Sequence, residues 1–170
     1  QRTQDIHMLL NKGLQFRQMV EHDPEGVQAG PLMERLLTEA VGPGFIAQSF
    51  HAIVAHQWNL PQGLHQDNGL NGIQINESPT TCNTIFMVDE MTWENGGTLV
   101  IPGSHKLVSA AGSGQPVREA LPPAINLEAP AGTALIFEGR LLHGTGVNRT
   151  PWPRAVLVMN ATPPFFRQQE

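Results

Sequence analysis

Residues 132–160 read GTALIFEGRLLHGTGVNRTPWPRAVLVMN, with an apolar run at each end and a glycine-rich middle. Each apolar run is short and is bounded by glycine, proline or asparagine. Short apolar runs between turn-forming residues are typical of buried β-strands. The stretch therefore predicts two strands that are connected through turns.

The same texture extends over the rest of the chain from Gly44 onward. Three further apolar runs bounded by turn residues are FIAQSFHAIVAH at 45–56, TIFMVDEM at 84–91 and GTLVIPG at 97–103. No helix-length period recurs between these runs, so alternating strand–helix–strand units are disfavoured. We predict a mainly β fold, a double-stranded β-helix of the cupin-like jelly-roll type.

Helices are expected only before this region. Residues 31–42, PLMERLLTEAVG, combine a proline at the helix start, apolar residues near helical spacing and a terminal glycine. Residues 6–20 have a weaker pattern of the same kind, and HDPEG at 22–26 predicts a turn. The long segment between Leu107 and Leu127 has little periodicity, which is typical of a loop that closes over a site.

These patterns predict one catalytic domain over residues 1–170. In it, residues 1–44 form a helical support and residues 45–170 form the jelly-roll core. The chain begins at Gln1 and ends directly after a proline- and phenylalanine-containing run, so we expect it to be truncated at both ends.

The composition of the chain argues against some classes of binding partner. The formal charge is -5 and the basic residues are scattered, which argues against a nucleic-acid partner. No apolar run approaches the length of a membrane span, and no signal peptide opens the chain, so the prediction is a cytoplasmic protein without a membrane partner. Cys82 is the single cysteine, which excludes an intrachain disulfide and predicts a small buried residue.

Three residues have the types and spacing of a metal site. His65 and Asp67 are two positions apart, so on an extended strand both side chains leave the same face. His143 lies far along the chain, in LLHGTG, and a fold that pairs distant strands can add it as a third ligand. Two histidines and one carboxylate on one face of an octahedron are typical of non-haem iron(II) oxygenases.

Arg154 supports this interpretation because it begins an apolar run on which an inward-facing cation needs an anionic partner. A small dicarboxylate can provide that partner, and a guanidinium binds carboxylates in a planar, bidentate manner. The sequence leaves two alternatives open for Arg154: an outward-facing position, or an internal ion pair with Asp89 or Glu138.

Three segments in this order resemble the phytanoyl-CoA dioxygenase family of iron(II) and 2-oxoglutarate-dependent oxygenases. They are PQGLHQD at 61–67, ENGGTLVIPGSHK at 94–106 and AGTALIFEGRLLHGTGVNRTPWPRAVL at 131–157. The resemblance implies Fe(II), 2-oxoglutarate and dioxygen as cofactor and cosubstrates. It also implies the following roles: iron ligands His65, Asp67 and His143; 2-oxoglutarate contacts Arg154, Gln62, Thr98 and Thr145.

The resemblance further implies hydroxylation or desaturation of a small-molecule substrate, coupled to decarboxylation of 2-oxoglutarate. Related halogenases replace the carboxylate ligand with glycine or alanine, so Asp67 disfavours halogenation. Two alternatives remain: a non-catalytic cupin-like binding protein, and a metal-dependent isomerase or hydrolase. A homodimer is left open. An apolar substrate lining is expected, formed by Ile85, Met87, Val100 and Ile136.

Overall fold

The computed structural model describes residues 3–20, 30–68, 78–107 and 121–168 of the chain. Within these ranges the strands, in chain order, are β1 Thr3–Ile6, β2 Ile46–Ala55, β3 Cys82–Met87, β4 Thr98–Val100, β5 Ile125–Asn126, β6 Ala134–Glu138, β7 His143–Thr145 and β8 Arg154–Thr162. The helices in the same ranges are α1 Leu14–Gln18, α2 Gly30–Val41 and α3 Ser104–Leu107, with a 3-10 turn at Leu9–Asn11.

The strands form two antiparallel sheets. The larger sheet has five strands in the order β1-β2-β8-β3-β6, and the smaller has three in the order β5-β4-β7. Neighbours such as β2 and β8 are far apart in sequence, as expected when a jelly roll pairs distant strands. The predicted mainly β, double-stranded β-helix fold is confirmed.

The larger sheet separates the core from a cavity. Because strand side chains alternate between faces, Leu157 and Met159 of β8 pack on one side with Leu37 of α2. Val156 and Val158 of the same strand face the other side and line the cavity. The helix thus supports the back of the sheet and leaves its front free for a site.

The helix predicted over residues 31–42 is confirmed as α2, Gly30–Val41. Gly42 follows it with a φ of 92°, a left-handed conformation that glycine adopts without strain. All five predicted apolar runs contain a strand: β2, β3, β4, β6 and β8.

The expectation that residues 1–44 are helical is wrong at the start of this region, and the pattern predicted over residues 6–20 is only partly helical. Residues Thr3–Ile6 are a strand, whose partners in β2 run from Ala55 to Ala52. Only the 3-10 turn and the five-residue α1 follow. The free edge of β2 offers backbone hydrogen bonds that a weak helical pattern does not outweigh, so tertiary pairing decides the conformation.

Two predicted loops lie outside the described residues in whole or in part. The turn at 22–26 falls entirely outside them, and the loop from 107 to 127 is described only at its ends, in α3 and from residue 121 onward. No helix among the described residues has both the length and the apolar character required to cross a bilayer.

Candidate metal and cosubstrate site

Two histidines and one aspartate converge where the segment before β3 meets β7. His65 and His143 exchange two backbone hydrogen bonds, of 2.9 and 3.0 Å, in an isolated antiparallel bridge. Asp67 is anchored by its backbone N–H, which donates to the Gly139 carbonyl at 2.8 Å. Potential ligand atoms of the three residues all lie within 4.8 Å of one another, so the structure brings the predicted triad together.

The ring orientation of both histidines presents the same nitrogen to this cluster. His65 Nδ1 lies 2.8 Å from the Gly63 carbonyl oxygen, and His143 Nδ1 lies 3.0 Å from that of Leu141. A carbonyl oxygen only accepts, so each Nδ1 must carry the proton. Nε2 is then the nitrogen with a free lone pair when the ring is neutral, as a metal ligand requires.

The Asp67 carboxylate lies between the two rings. Its Oδ1 is 3.5 Å from His65 Nε2, and its Oδ2 is 3.4 Å from His143 Nε2. Burial alone would raise the pKa of Asp67, but the hydrogen bond and charge of His143, the charge of His65 and the amide of Asn83 together lower it. The carboxylate is therefore held in its ionised, metal-binding form.

Burial acts on His143 in the opposite sense, since it disfavours a charged imidazole and lowers the pKa. The hydrogen bond and charge of Asp67, with the Leu141 carbonyl, outweigh this effect and raise the pKa of His143. The two shifts have one origin, because each group stabilises the charged form of the other. A metal cation placed among these atoms would stabilise the ionised Asp67 in the way that a protonated His143 does without the metal.

Arg154, the first residue of β8, is a buried cation that opens onto the same cavity. The residue is only 2% exposed. Burial lowers the pKa of Arg154 to about 10, although the negative charge of Asp89 acts to raise it. The guanidinium donates to the Gly96 carbonyl at 2.8 Å and to the Asn95 carbonyl at 3.5 Å. Among the described residues it has no carboxylate at ion-pair distance.

Both alternatives that the sequence left open for Arg154 are therefore wrong. The residue does not face outward. Asp89 accepts a hydrogen bond from the backbone N–H of Ala155, and Glu138 pairs with Arg140 at 2.8 Å.

The three remaining predicted contacts line the same cavity as Arg154 and the triad. Thr145 of β7 donates from Oγ1 to the Gln62 side chain at 2.9 Å. Thr98 of β4 is the direct cross-strand partner of Thr145. All seven predicted site residues line one cavity of about 530 Å³.

The expected apolar lining is only partly present. Of its four residues, only Ile85 lines the cavity, where Phe137 and the β8 valines join it. Ile136 precedes Phe137 on β6 and so faces the opposite side, where it packs against the core cluster beneath α2. Strand alternation, which a list of apolar residues ignores, explains this difference.

A family model described as phytanoyl-CoA dioxygenase matches residues 1–156 of the chain, which is most of its length. The chain belongs to the phytanoyl-CoA dioxygenase family. The family's cofactors are iron(II) and 2-oxoglutarate, with dioxygen as the oxidant, and the predicted cofactor set is thereby confirmed. A site of two imidazoles and one carboxylate suits iron(II) by its nitrogen and oxygen donors.

Two relatives illustrate how much of a longer protein the family match covers. An uncharacterised protein of Mycobacterium tuberculosis is 28% identical over 166 residues, which cover 91% of this chain and 57% of the relative. The dioxygenase trt7 of Aspergillus terreus is 37% identical over 109 residues, which cover 62% of this chain and 36% of trt7. The chain thus spans little more than half the length of the first relative.

Solved structures share the fold. HygX of Streptomyces hygroscopicus, solved with nickel and 2-oxoglutarate bound, has a TM-score of 0.74 and 16% identity over 100% of this chain and 73% of HygX. SnoN, a non-haem α-ketoglutarate-dependent epimerase of nogalamycin biosynthesis, has a TM-score of 0.71 and 15% identity over 95% of this chain and 62% of SnoN. At such identities the likeness establishes the architecture alone.

Sequence reasoning missed several polar residues of the family site. Asn83 of β3, and Asn160 and Ser49 on β8 and β2, line the cavity behind Asp67. His7 and His51, which were not assigned to the site, stack at 5.5 Å and line the same cavity. One signal was available for the asparagines: this residue type is depleted in strands, so an asparagine that directly adjoins an apolar run calls for an explanation.

Proposed function

We propose that this chain is a non-haem iron(II) oxygenase that couples oxidative decarboxylation of 2-oxoglutarate to hydroxylation or desaturation of a small organic substrate. The observation that carries the proposal is the buried guanidinium of Arg154, which among the described residues hydrogen-bonds only to neutral carbonyls and shares a cavity with the His65, Asp67 and His143 cluster. A buried cation without a bonded anion is costly, and a dicarboxylate cosubstrate supplies that anion.

Each group then has a definite task. The two imidazoles and the Asp67 carboxylate hold the metal, and Arg154 binds the distal carboxylate of 2-oxoglutarate through its planar fork. Thr98, Thr145 and Gln62 offer hydrogen bonds along the path between them. Bound iron supplies the activation of dioxygen, which side chains alone cannot perform.

The apolar part of the cavity wall supports oxidation chemistry. Ile85, Phe137, Val156 and Val158 offer no polar groups to a reactive oxidant, and they displace water from the vicinity of the triad. These residues come from three adjacent strands of the larger sheet, so the wall is rigidly held.

The two alternative functions do not account for the buried position of Arg154. A cupin-like protein that only binds a metal has no need of a buried dicarboxylate clamp. A metal-dependent isomerase or hydrolase with the same triad would turn over without 2-oxoglutarate, and would accept a redox-inert ion such as zinc.

Succinate formation separates these functions. Purified protein with iron(II), ascorbate, 2-oxoglutarate and air is expected to produce succinate slowly without substrate and faster with a suitable one. His143→Ala should abolish the production, whereas His56→Ala, which removes an exposed histidine outside the metal cluster, should not. Absence of succinate above the metal-free background, with folded protein and across a broad panel of metabolites, would contradict the proposal.

Product analysis tests the finer claim. Hydroxylation adds one oxygen atom to the substrate, and desaturation removes two hydrogen atoms. A product with the mass of the substrate but inverted stereochemistry would show that the reaction is an epimerisation and neither of these two.

A further inference from the structure

A row of polar side chains crosses the larger sheet directly behind Asp67. Ser49 on β2, Asn160 on β8 and Asn83 on β3 stand on three adjacent strands, and Asn160 is the cross-strand partner of both others. Ser49 donates to Asn160 Oδ1 at 2.6 Å, the Asn160 amide donates to Asn83 Oδ1, and Asn83 donates to Asp67 Oδ2 at 2.7 Å. The row therefore ends on a predicted metal ligand.

The direction of every bond in the row follows from the carboxylate. An ionised carboxylate only accepts, so Asn83 must turn its amide nitrogen toward Asp67 and its oxygen toward Asn160. Asn160 must then present its nitrogen to Asn83 and its oxygen to Ser49, whose hydroxyl donates. Aligned hydrogen bonds polarise one another, so each strengthens the next toward Asp67.

Because these residues are buried, the loss of their hydrogen bonds would destabilise the protein. Asn83 is 1% exposed and Ser49 is 8% exposed. An amide left without partners in such a place is destabilising, because it loses its hydrogen bonds to water and gains none in return. Valine or isoleucine would suit these strand positions better, so packing does not explain why asparagine occupies both central strands.

We propose that Asn83, held by Asn160 and Ser49, is a positioning residue that makes Asp67 a metal ligand through one oxygen only. This inference rests on the proposed function, which assigns the metal to His65, Asp67 and His143. The Asn83 amide donates to Oδ2, whereas Oδ1 accepts no hydrogen bond from the residues that the structure describes.

The number of ligating oxygens matters for the chemistry. Two histidines and one single-oxygen carboxylate fill three positions of an octahedron and leave three open. A 2-oxo acid that bound through its carboxylate and keto oxygens would use two of these positions, and one would remain for dioxygen. An Asp67 that used both oxygens would remove one of the three.

Two variants of β3 and one of β2 test the positioning role of Asn83. Asn83→Leu removes the amide and keeps the number and branching of the side-chain heavy atoms. Thr84→Val is the control, because Thr84 is the next residue of β3 and faces the other side of the sheet. It is 0% exposed, and its Oγ1 has no hydrogen-bond partner within the described structure. Ser49→Ala removes the far end of the row. Far-ultraviolet circular dichroism and thermal unfolding establish which variants fold.

The readouts are Mn(II) affinity by calorimetry, the visible spectrum of the Co(II)-loaded protein, and the 2-oxoglutarate affinity of the loaded protein. Removing partners of this kind weakens metal binding about 10- to 100-fold, which we expect for Asn83→Leu. Ser49→Ala should show a smaller loss and Thr84→Val none. In Asn83→Leu the Co(II) spectrum should change before 2-oxoglutarate is added, and the 2-oxoglutarate affinity should fall.

A purely structural role would lower the melting temperature of the metal-free protein and leave the Co(II) spectrum unchanged. The proposal is overturned if folded Asn83→Leu and Ser49→Ala bind Mn(II) and 2-oxoglutarate as the parent does. If Asn83→Leu does not fold, Ser49→Ala decides by the same criterion. A parent protein that binds no Mn(II) contradicts the proposed function itself, which separates the two failures.

Discussion

At the scale of single residues, Arg154 is a charge whose burial is unfavourable for folding. Its guanidinium is buried and bound to the neutral carbonyls of Gly96 and Asn95. Neutral partners satisfy hydrogen bonds but do not offset the loss of hydration of a full charge. Such a cation is therefore prepared for an anionic ligand.

Substitution of this residue is expected to separate binding from folding. Arg154→Met should weaken 2-oxoglutarate binding about 30-fold to several thousand-fold, because a charge-assisted pair in a partly desolvated site contributes about 2–5 kcal/mol. The free energy of unfolding without ligand should be unchanged or higher, since an apolar side chain replaces a buried charge. Mn(II) affinity should stay near that of the parent.

Calorimetric titration with 2-oxoglutarate and urea unfolding measure the two effects. Arg149→Met is the matched control, because Arg149 is exposed and lies 4.1 Å from the centre of the Trp93 ring, away from the cavity lining. An unchanged 2-oxoglutarate affinity in Arg154→Met would remove Arg154 from the site.

At the scale of elements, the segment between β3 and β4 holds the guanidinium of Arg154 in place. Gly96 has a φ of +77° and its carbonyl accepts the 2.8 Å bond from Arg154. A Cβ atom at this position would lie 2.7 Å from the backbone nitrogen of Asn148. Asn148 is itself fully buried and bonds to the carbonyls of Ala55 and Trp152, so it has little freedom to move.

Two glycines with the same backbone conformation allow a controlled test. Gly103 has a φ of +80°, but a Cβ there would meet nothing within 4 Å. Both Gly96→Ala and Gly103→Ala should lose about 1–2 kcal/mol from the left-handed conformation. Only Gly96→Ala adds a steric clash, so it should lose more unfolding free energy and also bind 2-oxoglutarate more weakly. Equal losses in urea unfolding, with equal ligand affinity, would contradict this account.

At the scale of the whole molecule, the candidate site joins the two sheets. Arg154 belongs to the five-stranded sheet, and Thr98, His143 and Thr145 belong to the three-stranded sheet. A metal and a dicarboxylate bound between them would contact both layers. Ligand binding should therefore resist the separation of the sheets on unfolding.

Metal and cosubstrate are expected to stabilise the protein together. At 100 times its dissociation constant a ligand contributes about 2.7 kcal/mol. For a chain of this size each kcal/mol raises the melting temperature by about 2–4 °C. With Mn(II) present, 2-oxoglutarate should raise the melting temperature by about 5–10 °C, and chelation with EDTA should remove most of the increase.

Glutarate is the control for this measurement, because it has the same five-carbon chain and both carboxylates but lacks the keto oxygen. It should produce a much smaller shift than 2-oxoglutarate. Thermal unfolding with Mn(II), 2-oxoglutarate, both and neither gives the four values required. An equal effect of 2-oxoglutarate with and without metal would show that the two do not share one site.

The sequence by itself determined the features that depend on neighbouring residues. The apolar runs between turn residues predicted five of the strands, and the proline and glycine at its ends predicted α2. His65 and Asp67 were identifiable because a spacing of two on extended chain places both on one face. Arg154 stood out as a charge within an apolar strand.

Tertiary structure alone decided what depends on pairing between distant segments. Residues 3–6 became a strand because the edge of β2 accepted them, and Asn83 met Asp67 because β3, β8 and β2 align in one register. A register shift of one residue would turn each strand's inward side chains outward, and no local pattern specifies that register. Local periodicity determines which faces are apolar, whereas long-range pairing determines which polar residues meet beside the His65, Asp67 and His143 cluster.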